Sequence, residues 1–455
     1  MAPSSAQEPF VPVALDPAAP VAGLWGIARA TRMNALTMWP TDAYRQETFI
    51  QSELRRPRFL LNGEAGIHRV LVANPRNYRR TPATLRVLRP IAGDGLLLSE
   101  GEAWRRQRQI VGPALAPRVM PILARHVVAG AERALARLQP GTVDVLGLMQ
   151  LLTLDIASRS MFSVPMDEHG PSLRDMMTSY GLKLGRPTLL DLLLPTGIPT
   201  PRDLSRTMFR WRWVRLMDRI MRARPASPPD SPPRDLFDLL QQSRDPETGT
   251  GFSRPQLRDQ MATMILAGHE TTALTLFWAL YLLANTPGLQ ARLAEEVRGF
   301  DPDAAAEAQV LKTLPFTRAV IQESLRLYPP AFTLVRKAIG EDRFGDTTVP
   351  PGAIVLIAPW VLHRHEALWD RPAAFDPSRF EGDPVLAHRF AYLPFGAGPR
   401  VCVGAQFALT EAVIVLAMLV QRFTIELEDK APVLPVAIIT TQPDRPVPFR
   451  FRLRS

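Results

Sequence analysis

Cys402 is the only cysteine among 455 residues, and its neighbours suggest chemistry rather than simple packing. Residues 395–404, FGAGPRVCVG, place two glycines and a proline just before the thiol, which predicts a tight turn. A long helix is predicted directly after the turn, and its N–H groups and dipole favour a thiolate. Gly404 lets a flat group approach the backbone. A single thiol cannot supply a disulfide, a cysteine-rich zinc site or an iron–sulfur cluster.

A second group of candidate residues is ionic. Glu323 and Arg326 are spaced to lie on one face of a short helix that ends at Pro329. Taken alone, such a pair is ordinarily solvated and stabilises a helix by about 0.2–0.5 kcal/mol. A further arginine, Arg379, follows within residues 376–380, DPSRF. These residues alone do not distinguish a surface pair from a functional cluster.

A third group lies in the longest predicted helix, from Ser253 to Asn285, where Ser253 and Gln256 form a capping box. Its roughly 33 residues would extend about 50 Å, so the helix must cross the middle of the molecule. Residues 267–272, AGHETT, lie near its centre, where glycine costs about 1 kcal/mol. Adjacent threonines can bond back to earlier carbonyls, so we expect a local distortion there. We interpret His269 as a structural residue.

Residues 395–404 resemble the haem-binding loop of the cytochrome P450 family at every fixed position of Phe-Gly-x-Gly-x-Arg-x-Cys-x-Gly. The resemblance implies that Cys402 is the thiolate ligand of the iron of haem b. It also implies that Arg400 pairs with a haem propionate and that Phe395 and Gly404 belong to the haem-binding loop.

Two other segments extend the resemblance to the haem propionates. Trp104 and Arg108, one helical turn apart within residues 98–108, resemble the family pair that contacts these groups. Arg336 stands where many members of the family place another propionate-binding arginine.

By the same resemblance, Glu323, Arg326 and Arg379 form a buried triad beneath the haem. Ser378 stands where an acidic residue is common in the family, a departure that leaves the three charged residues in place. Buried charges persist only when they are paired, so we expect loss of Glu323 to prevent folding around haem.

Residues 267–272 resemble the family's oxygen-activation groove. The resemblance assigns Glu270 and Thr271 to the delivery of protons while dioxygen is activated, with the distorted turn over the iron. It also implies a mostly apolar substrate pocket lined by Ile265, Ala267, Thr272, Ala331, Phe332 and Leu334. Such a lining is compatible with fatty acids, terpenoids, steroids or aromatics and selects none of them.

The resemblance spans about residues 59–423 and implies a mainly α cytochrome P450 fold. In that fold a triangular helical domain carries a small β-rich subdomain, and the haem lies between the long central helix and the Cys402 loop. Residues 1–40 are interpreted as a partly irregular N-terminal extension, and residues 41–455 as a single catalytic domain. Small sheets are expected from residue 58, near residues 344–356 and within residues 423–453. Residues 225–233, rich in proline, predict an exposed loop.

The formal charge of +10 comes from 54 cationic and 44 acidic residues, and the arginines are scattered rather than grouped. This distribution argues against a nucleic-acid partner. Residues 209–215, FRWRWVR, suggest a stacking surface or a membrane-surface helix. Helical spacing of Phe209, Trp213, Leu216 and Ile220 instead favours a buried stripe. The sequence lacks a secretory signal and an apolar run of about 18 residues, so we expect a cytoplasmic monomer with no transmembrane anchor.

The resemblance implies a monooxygenase that inserts one atom of O2 into a small apolar substrate. We expect its electrons to come from a ferredoxin or flavodoxin and its reductase, docking on the basic Cys402 side. A peroxide-driven haem-thiolate oxygenase is an alternative against which Glu270 and Thr271 argue. A haem-thiolate isomerase, a non-catalytic haem-binding protein and a nucleic-acid module are the others. Residues 188–195 are either an access lid or the end of a core helix.

Overall fold

A computed structural model of the chain describes residues 9–13, 15, 23–51, 57–164, 170–225, 231–307, 310–382 and 386–454. Helices account for most of this part of the chain. The α-helices are α1 (Gly23–Met33), α2 (Glu64–His68), α3 (Pro82–Ala92), α4 (Gly101–Ala114), α5 (Met120–Arg137), α6 (Val145–Phe162), α7 (Gly170–Ser179), α8 (Leu189–Leu193), α9 (Pro201–Ala223), α10 (Leu236–Gln242), α11 (Arg254–Ala284), α12 (Pro287–Glu296), α13 (Pro302–Glu307), α14 (Val310–Thr313), α15 (Pro315–Leu327), α16 (Pro359–Leu362) and α17 (Ala405–Arg422). Short 3-10 or π-helical turns connect several of them.

The strands form small sheets at the edges of the helical body. They are β1 (Thr48–Gln51), β2 (Arg58–Leu61), β3 (Tyr78–Arg79), β4 (Gly141–Asp144), β5 (Leu334–Ala338), β6 (Asp342–Phe344), β7 (Thr347–Val349), β8 (Ile354–Ile357), β9 (Phe423–Leu427), β10 (Pro435–Ala437), β11 (Thr441–Pro443) and β12 (Pro448–Leu453). The largest sheet has the order β1-β2-β8-β5-β3, and a second has the order β4-β12-β9. β6 pairs with β7 and β10 with β11 as antiparallel hairpins. The sheets expected from residue 58, near residues 344–356 and within residues 423–453 are confirmed.

Helix α11 crosses the middle of the molecule, as its length and composition predict. Ser253 caps its first turn, and Gln256 completes the capping box. The helix packs against α3, α6, α15 and α17, and its second half is buried on all sides. Residues 267–272 are helical without interruption, so the expected distortion at Gly268 is wrong. Thr271 does bond back to the Ala267 carbonyl at 2.6 Å, but this bond leaves the helix continuous.

One hydrophobic cluster joins the two ends of the chain. It begins at Ile27 in α1, passes through the second half of α11 and the apolar part of α17, and reaches Phe451 in β12. At its centre the rings of Trp278 and Tyr328 stack with centroids 3.8 Å apart. The part of the predicted N-terminal extension from Ile27 onward therefore packs in the same core as the rest of the chain. A second cluster lies between α3, α9 and the first half of α11.

The buried stripe predicted on α9 is confirmed. Trp213, Leu216 and Ile220 are buried in the second cluster, and the ring of Phe209 stacks on Trp213. The opposite face is not purely polar, because Trp211 is exposed beneath the Arg215 guanidinium, 3.4 Å from its ring centroid. In the proline-rich loop, residues 226–230 lie outside the described part of the chain, and Pro225 is exposed.

Two helices, α6 and α17, are long and apolar enough by length and composition to cross a bilayer. In each, 61% of the apolar window is buried inside the protein. Core helices of soluble proteins meet the same criterion, so these helices give only weak evidence for a membrane span.

Candidate active site

The Cys402 loop is a tight turn that packs directly on the preceding part of the chain. The Cys402 N–H donates to the Phe395 carbonyl at 2.9 Å and so closes the loop before α17. Gly398 has a φ of +70°, and a Cβ built there would lie 2.0 Å from the Leu71 carbonyl oxygen. Only glycine fits at this position, because the close atom belongs to the backbone. Gly404 is the N-cap of α17, which confirms the helix predicted after the thiol.

The Cys402 side chain is exposed. Its neighbour Val403 packs against the second hydrophobic cluster. Burial raises the pKa of the thiol, and the Gly404 N–H and the Arg108 guanidinium only partly offset this effect. The N–H group at the start of α17 lowers the pKa of the thiol, as expected, but in the absence of a coordinated cation desolvation has the larger effect. A coordinated metal ion would supply the missing positive charge and deprotonate the thiol.

A cluster of arginines lies beside the loop. Arg80 and Arg400 both pair with Glu100, and the Arg80 Nη1 atom lies 3.0 Å from the Glu100 Oε1 atom. Arg336 is near both arginines, and burial together with their charges lowers its pKa to about 10. Its one hydrogen bond among the described residues goes to the Val335 carbonyl. Three cations thus share one carboxylate, which leaves an excess of positive charge suited to a bound carboxylate ligand.

Trp104 and Arg108 lie on α4, one turn apart, as predicted. The Arg400 guanidinium lies over the Trp104 ring, 4.4 Å from its centroid, so Trp104 orients an arginine of the cluster. Arg108 donates to the Val401 carbonyl at 2.7 Å, directly before the thiol. Both residues therefore reach the Cys402 loop, and Arg80 and Glu100 join them without having been predicted. Arg80 follows Arg79 in the sequence, and adjacent arginines are common on protein surfaces, so nothing in the sequence indicated that Arg80 belongs to the site.

Glu323, Arg326 and Arg379 meet as the resemblance implies. The Glu323 and Arg326 side chains are fully buried, and the Arg326 Nε atom lies 2.6 Å from a Glu323 oxygen. The Arg379 Nε atom lies 3.5 Å from the other Glu323 oxygen. Arg326 also donates to the carbonyls of His363, Pro372 and Ala374. The triad thereby ties α15 to the irregular segment that precedes the Cys402 loop.

Glu270 and Thr271 occupy the middle of α11, next to the exposed Ala267. Burial raises the pKa of Glu270, and a hydrogen bond from the Thr440 hydroxyl to Oε1 partly offsets the increase. The Thr271 hydroxyl donates to the Ala267 carbonyl, which leaves its lone pairs free to accept a proton or a hydrogen bond. An acid of raised pKa beside a hydroxyl group is an arrangement that can move protons.

The histidines near these residues are structural. His269 points away from this part of α11 and bonds the Gln150 carbonyl at 3.0 Å, and burial lowers its pKa to about 4. His363 bonds the Arg326 carbonyl and accepts the Leu393 N–H, and burial lowers its pKa to about 3. Both imidazoles are therefore neutral near neutral pH, and each bonds a backbone carbonyl.

The residues predicted to line a substrate pocket are divided among different surroundings. Ala267 and Ala331 are exposed. Ile265 and Phe332 are buried in two different hydrophobic clusters. Leu334 reaches the Cys402 loop, 3.9 Å from a Cβ built at Gly396. The remaining residue, Thr272, is buried, and its hydroxyl has no hydrogen-bond partner among the described residues.

Comparison with known proteins gives the class to which this arrangement belongs. The sequence matches the cytochrome P450 family over residues 27–446. Cyclooctat-9-en-7-ol 5-monooxygenase of Streptomyces melanosporofaciens is 32% identical over 338 residues, which cover 74% of this chain and 73% of that protein. Cyclooctatin synthase of the same organism is 33% identical, with 81% of this chain and 80% of that protein covered. A cytokinin hydroxylase of Arabidopsis thaliana is 33% identical, with 77% and 70% covered.

The chain therefore belongs to the cytochrome P450 family. Its helical body with several small sheets confirms the expected fold class. It is a cytochrome P450 monooxygenase, an oxidoreductase, as the relatives named monooxygenase or hydroxylase indicate. Membership of the family implies a haem whose iron is held by a cysteine thiolate.

The residues present fit such a group. Cys402 is the only thiol in the sequence, and it is accessible at the start of α17. The arginine cluster supplies the surplus cations that two propionates require. A Cβ built at Gly268 on α11 meets no atom within 4 Å, which leaves room above this turn of the helix.

Proposed function

We propose that the chain is a cytoplasmic, monomeric monooxygenase that binds haem b through Cys402 and hydroxylates a small apolar substrate. The observation that carries the proposal is the accessible Cys402 thiol in a glycine turn at the N-terminus of α17. The overall reaction consumes the substrate, O2, two electrons and two protons, and it yields the oxygenated product and water. When bound, the haem supplies the activation of O2 and the transfer of one oxygen atom.

The binding residues would fix the cofactor by charge and shape. Arg336 and Arg400 would bind the propionates, with Trp104 stacked on Arg400 to hold its guanidinium in place. Arg108, which bonds the Val401 carbonyl, would support the loop and the charge on the sulfur. Phe395 closes the loop through its carbonyl, and Gly404 leaves the face of the loop free of a side chain. Arg80 joins this set as an additional cation.

Glu270 and Thr271 would deliver the two protons. The raised pKa of Glu270 lets its carboxyl carry a proton closer to neutral pH than an exposed glutamate does. The Thr271 hydroxyl would accept that proton and pass on its own, with the Ala267 carbonyl as its resting partner. This pair argues against the peroxide-driven alternative, which needs no external proton supply.

The substrate would lie against the exposed Ala267 and Ala331, near Leu334. One relative is named cyclooctat-9-en-7-ol 5-monooxygenase, so cyclic hydrocarbons and their alcohols are the first class to screen. A ferredoxin or flavodoxin with its reductase would supply electrons, attracted by the net charge of +10.

The experiment that tests the function uses purified holoprotein, an apolar compound library and 18O2. Compounds that shift the haem spectrum are incubated with a ferredoxin or flavodoxin system. We expect a product that carries one 18O atom from O2 and depends on the electron donor. Oxygen derived from water, or turnover supported only by added hydrogen peroxide, would contradict the proposal.

A further inference from the structure

The tip of the β10–β11 hairpin contacts the acid on α11. The tip consists of residues 438–440, between β10 and β11. Thr440 is 6% exposed, and its hydroxyl donates to the Glu270 Oε1 atom at 2.9 Å. The two residues lie 170 positions apart, so the contact depends on tertiary packing alone.

The hairpin tip is fixed by contacts on several sides. The Thr441 N–H and hydroxyl donate to the carbonyls of Pro330 and Pro329, at 3.2 and 2.8 Å. The Trp278 indole donates to the Thr441 carbonyl at 3.0 Å. Ile439 packs against Gly185 so closely that a Cβ built there would lie 2.6 Å from its Cδ1 atom. The Thr440 hydroxyl is therefore presented to Glu270 in a position that the surrounding structure determines.

Thr440 is the one described side chain that bonds the Glu270 carboxyl. Burial is the larger influence on the Glu270 pKa and raises it, and the Thr440 hydroxyl lowers it. No charged group among the described residues contributes to this pKa. The adjacent His269 is turned toward Gln150, and the Thr271 hydroxyl is occupied by the Ala267 carbonyl. Without Thr440 the carboxyl would have no fixed orientation and no compensation for its burial.

We propose that Thr440 is a positioning residue that holds Glu270 in the orientation from which it exchanges protons. The inference rests on the proposed role of Glu270 in proton delivery. Thr440 acts through the carboxyl rather than on substrate or haem. The hydroxyl stabilises the ionised carboxylate, so that Glu270 can release its proton and then regain one from water. A carboxyl that lacked this donor would keep its proton and rotate freely.

The test compares Thr440→Val, which keeps the shape and removes the hydroxyl, with Thr440→Ser, which keeps the hydroxyl. The first readout is the infrared carboxyl band of Glu270 in resting holoprotein, assigned by its loss in Glu270→Gln. In Thr440→Val we expect the protonated carbonyl band to move to higher frequency and the carboxyl to titrate at higher pH. Thr440→Ser should retain the wild-type band and titration.

The second readout is the amount of product formed per electron consumed. Thr440→Val should lower it about fivefold, the factor expected for one lost hydrogen bond of typical strength. Thr440→Ser should keep the wild-type amount of product per electron. Thr142→Val is the matched control, because Thr142 makes an equivalent bond to the exposed Glu428 at 2.6 Å, and it should change neither readout.

An unchanged Glu270 band in Thr440→Val would overturn the inference, whatever the activity. If Thr440→Val does not fold, failure of Thr440→Ser to preserve the band and the product yield would overturn it equally. If Glu270→Gln retains full product yield while Thr440→Val still shifts the band, the proposed role of Glu270 fails and the hydrogen bond stands. The two failures are therefore distinguishable.

Discussion

At the scale of single residues, the site depends on charges that are held away from water by named partners. Burial raises the pKa of Cys402, Glu270 and Glu323 alike, so each side chain needs a specific partner to function as an anion. The resemblance of three sequence segments to the family identified these side chains. It did not identify Arg80, Glu100 or Thr440, because a partner that arrives from a distant segment leaves no periodic or local pattern.

Glu323→Gln tests the buried ion pair. The change leaves the fully buried Arg326 without its counter-charge, and we expect the free energy of unfolding to fall by about 3–5 kcal/mol. Glu381→Gln is the control, since the exposed Glu381–Arg292 pair should contribute less than about 1 kcal/mol. Denaturant unfolding of the holoproteins measures both. Equal stability of Glu323→Gln and wild type would contradict the structural role of the triad.

Thr271→Val tests proton delivery. The variant keeps the shape of the side chain and removes the hydroxyl, so the rate of product formation should fall by about a hundredfold, at the low end of general acid–base effects. Electron consumption should continue, with hydrogen peroxide released instead of product. Thr275→Val is the control, because Thr275 makes the same kind of back-bond one turn later. Comparable losses in both variants would show that helix packing, not the Thr271 hydroxyl, is responsible.

At the scale of elements, the sequence predicted the start of a helix correctly where neighbouring residues alone determine it. The capping box of Ser253 and Gln256 placed the start of α11, and the glycine turn placed the start of α17. The helix distortion at residues 267–272 was not found, because packing against α6 keeps the helix continuous despite Gly268. The β10–β11 hairpin was expected only as part of a sheet-rich tail, since short strands carry little periodicity.

The segment 188–195 is attached to two neighbouring helices by buried charged groups. Asp191 on α8 is fully buried and accepts two hydrogen bonds from Arg206 of α9, at 2.7 and 3.0 Å. Arg86 of α3 donates to the carbonyls of Leu194, Pro195 and Ile198. These contacts join α8 to α3 and α9, so the segment is held by charged groups rather than by apolar packing alone.

Asp191→Asn tests this attachment and predicts a pH dependence. Burial alone raises the Asp191 pKa, but hydrogen bonds from Arg206 and Thr188 outweigh it and hold the pKa below 3.8. The carboxylate therefore stabilises the fold fully above pH 3.8, and this stability is lost as pH falls through the folded-state pKa. At pH 7 the variant should lose about 3 kcal/mol of unfolding free energy, and the difference should narrow below pH 3.8.

The control for this prediction is Asp94→Asn, which breaks the exposed Arg89–Asp94 pair and should change stability by less than about 1 kcal/mol. Denaturant titrations from neutral to acidic pH measure both variants. A stability difference for Asp191→Asn that stays constant down to the lowest pH would contradict the assignment of the effect to the carboxylate.

At the scale of the whole molecule, two hydrophobic clusters meet along α11. The second half of the helix belongs to the cluster that joins the chain ends, and the first half to the cluster beside α9. Glu270 and Thr271, the two residues assigned to proton delivery, lie between these halves, next to the exposed Ala267. The sequence could place the site on the central helix, but it could not divide the core, because the elements that pack on each half come from distant parts of the chain.

The charge of the whole molecule makes a prediction about reduction. If an acidic ferredoxin or flavodoxin docks by electrostatic attraction to a chain of net charge +10, the second-order rate of reduction should fall as salt rises. Stopped-flow reduction over a series of ionic strengths measures this dependence. Reduction by dithionite, a small donor that needs no docking surface, is the control. A rate with the protein donor that is independent of salt would contradict electrostatic docking.

The most direct test of the account is the carbon monoxide spectrum of the reduced protein. A thiolate from Cys402 on the iron predicts a strongly red-shifted Soret band after dithionite and carbon monoxide are added, and its loss in Cys402→Ser. An imidazole-type spectrum in the wild-type protein, or no haem spectrum at all, would contradict the account.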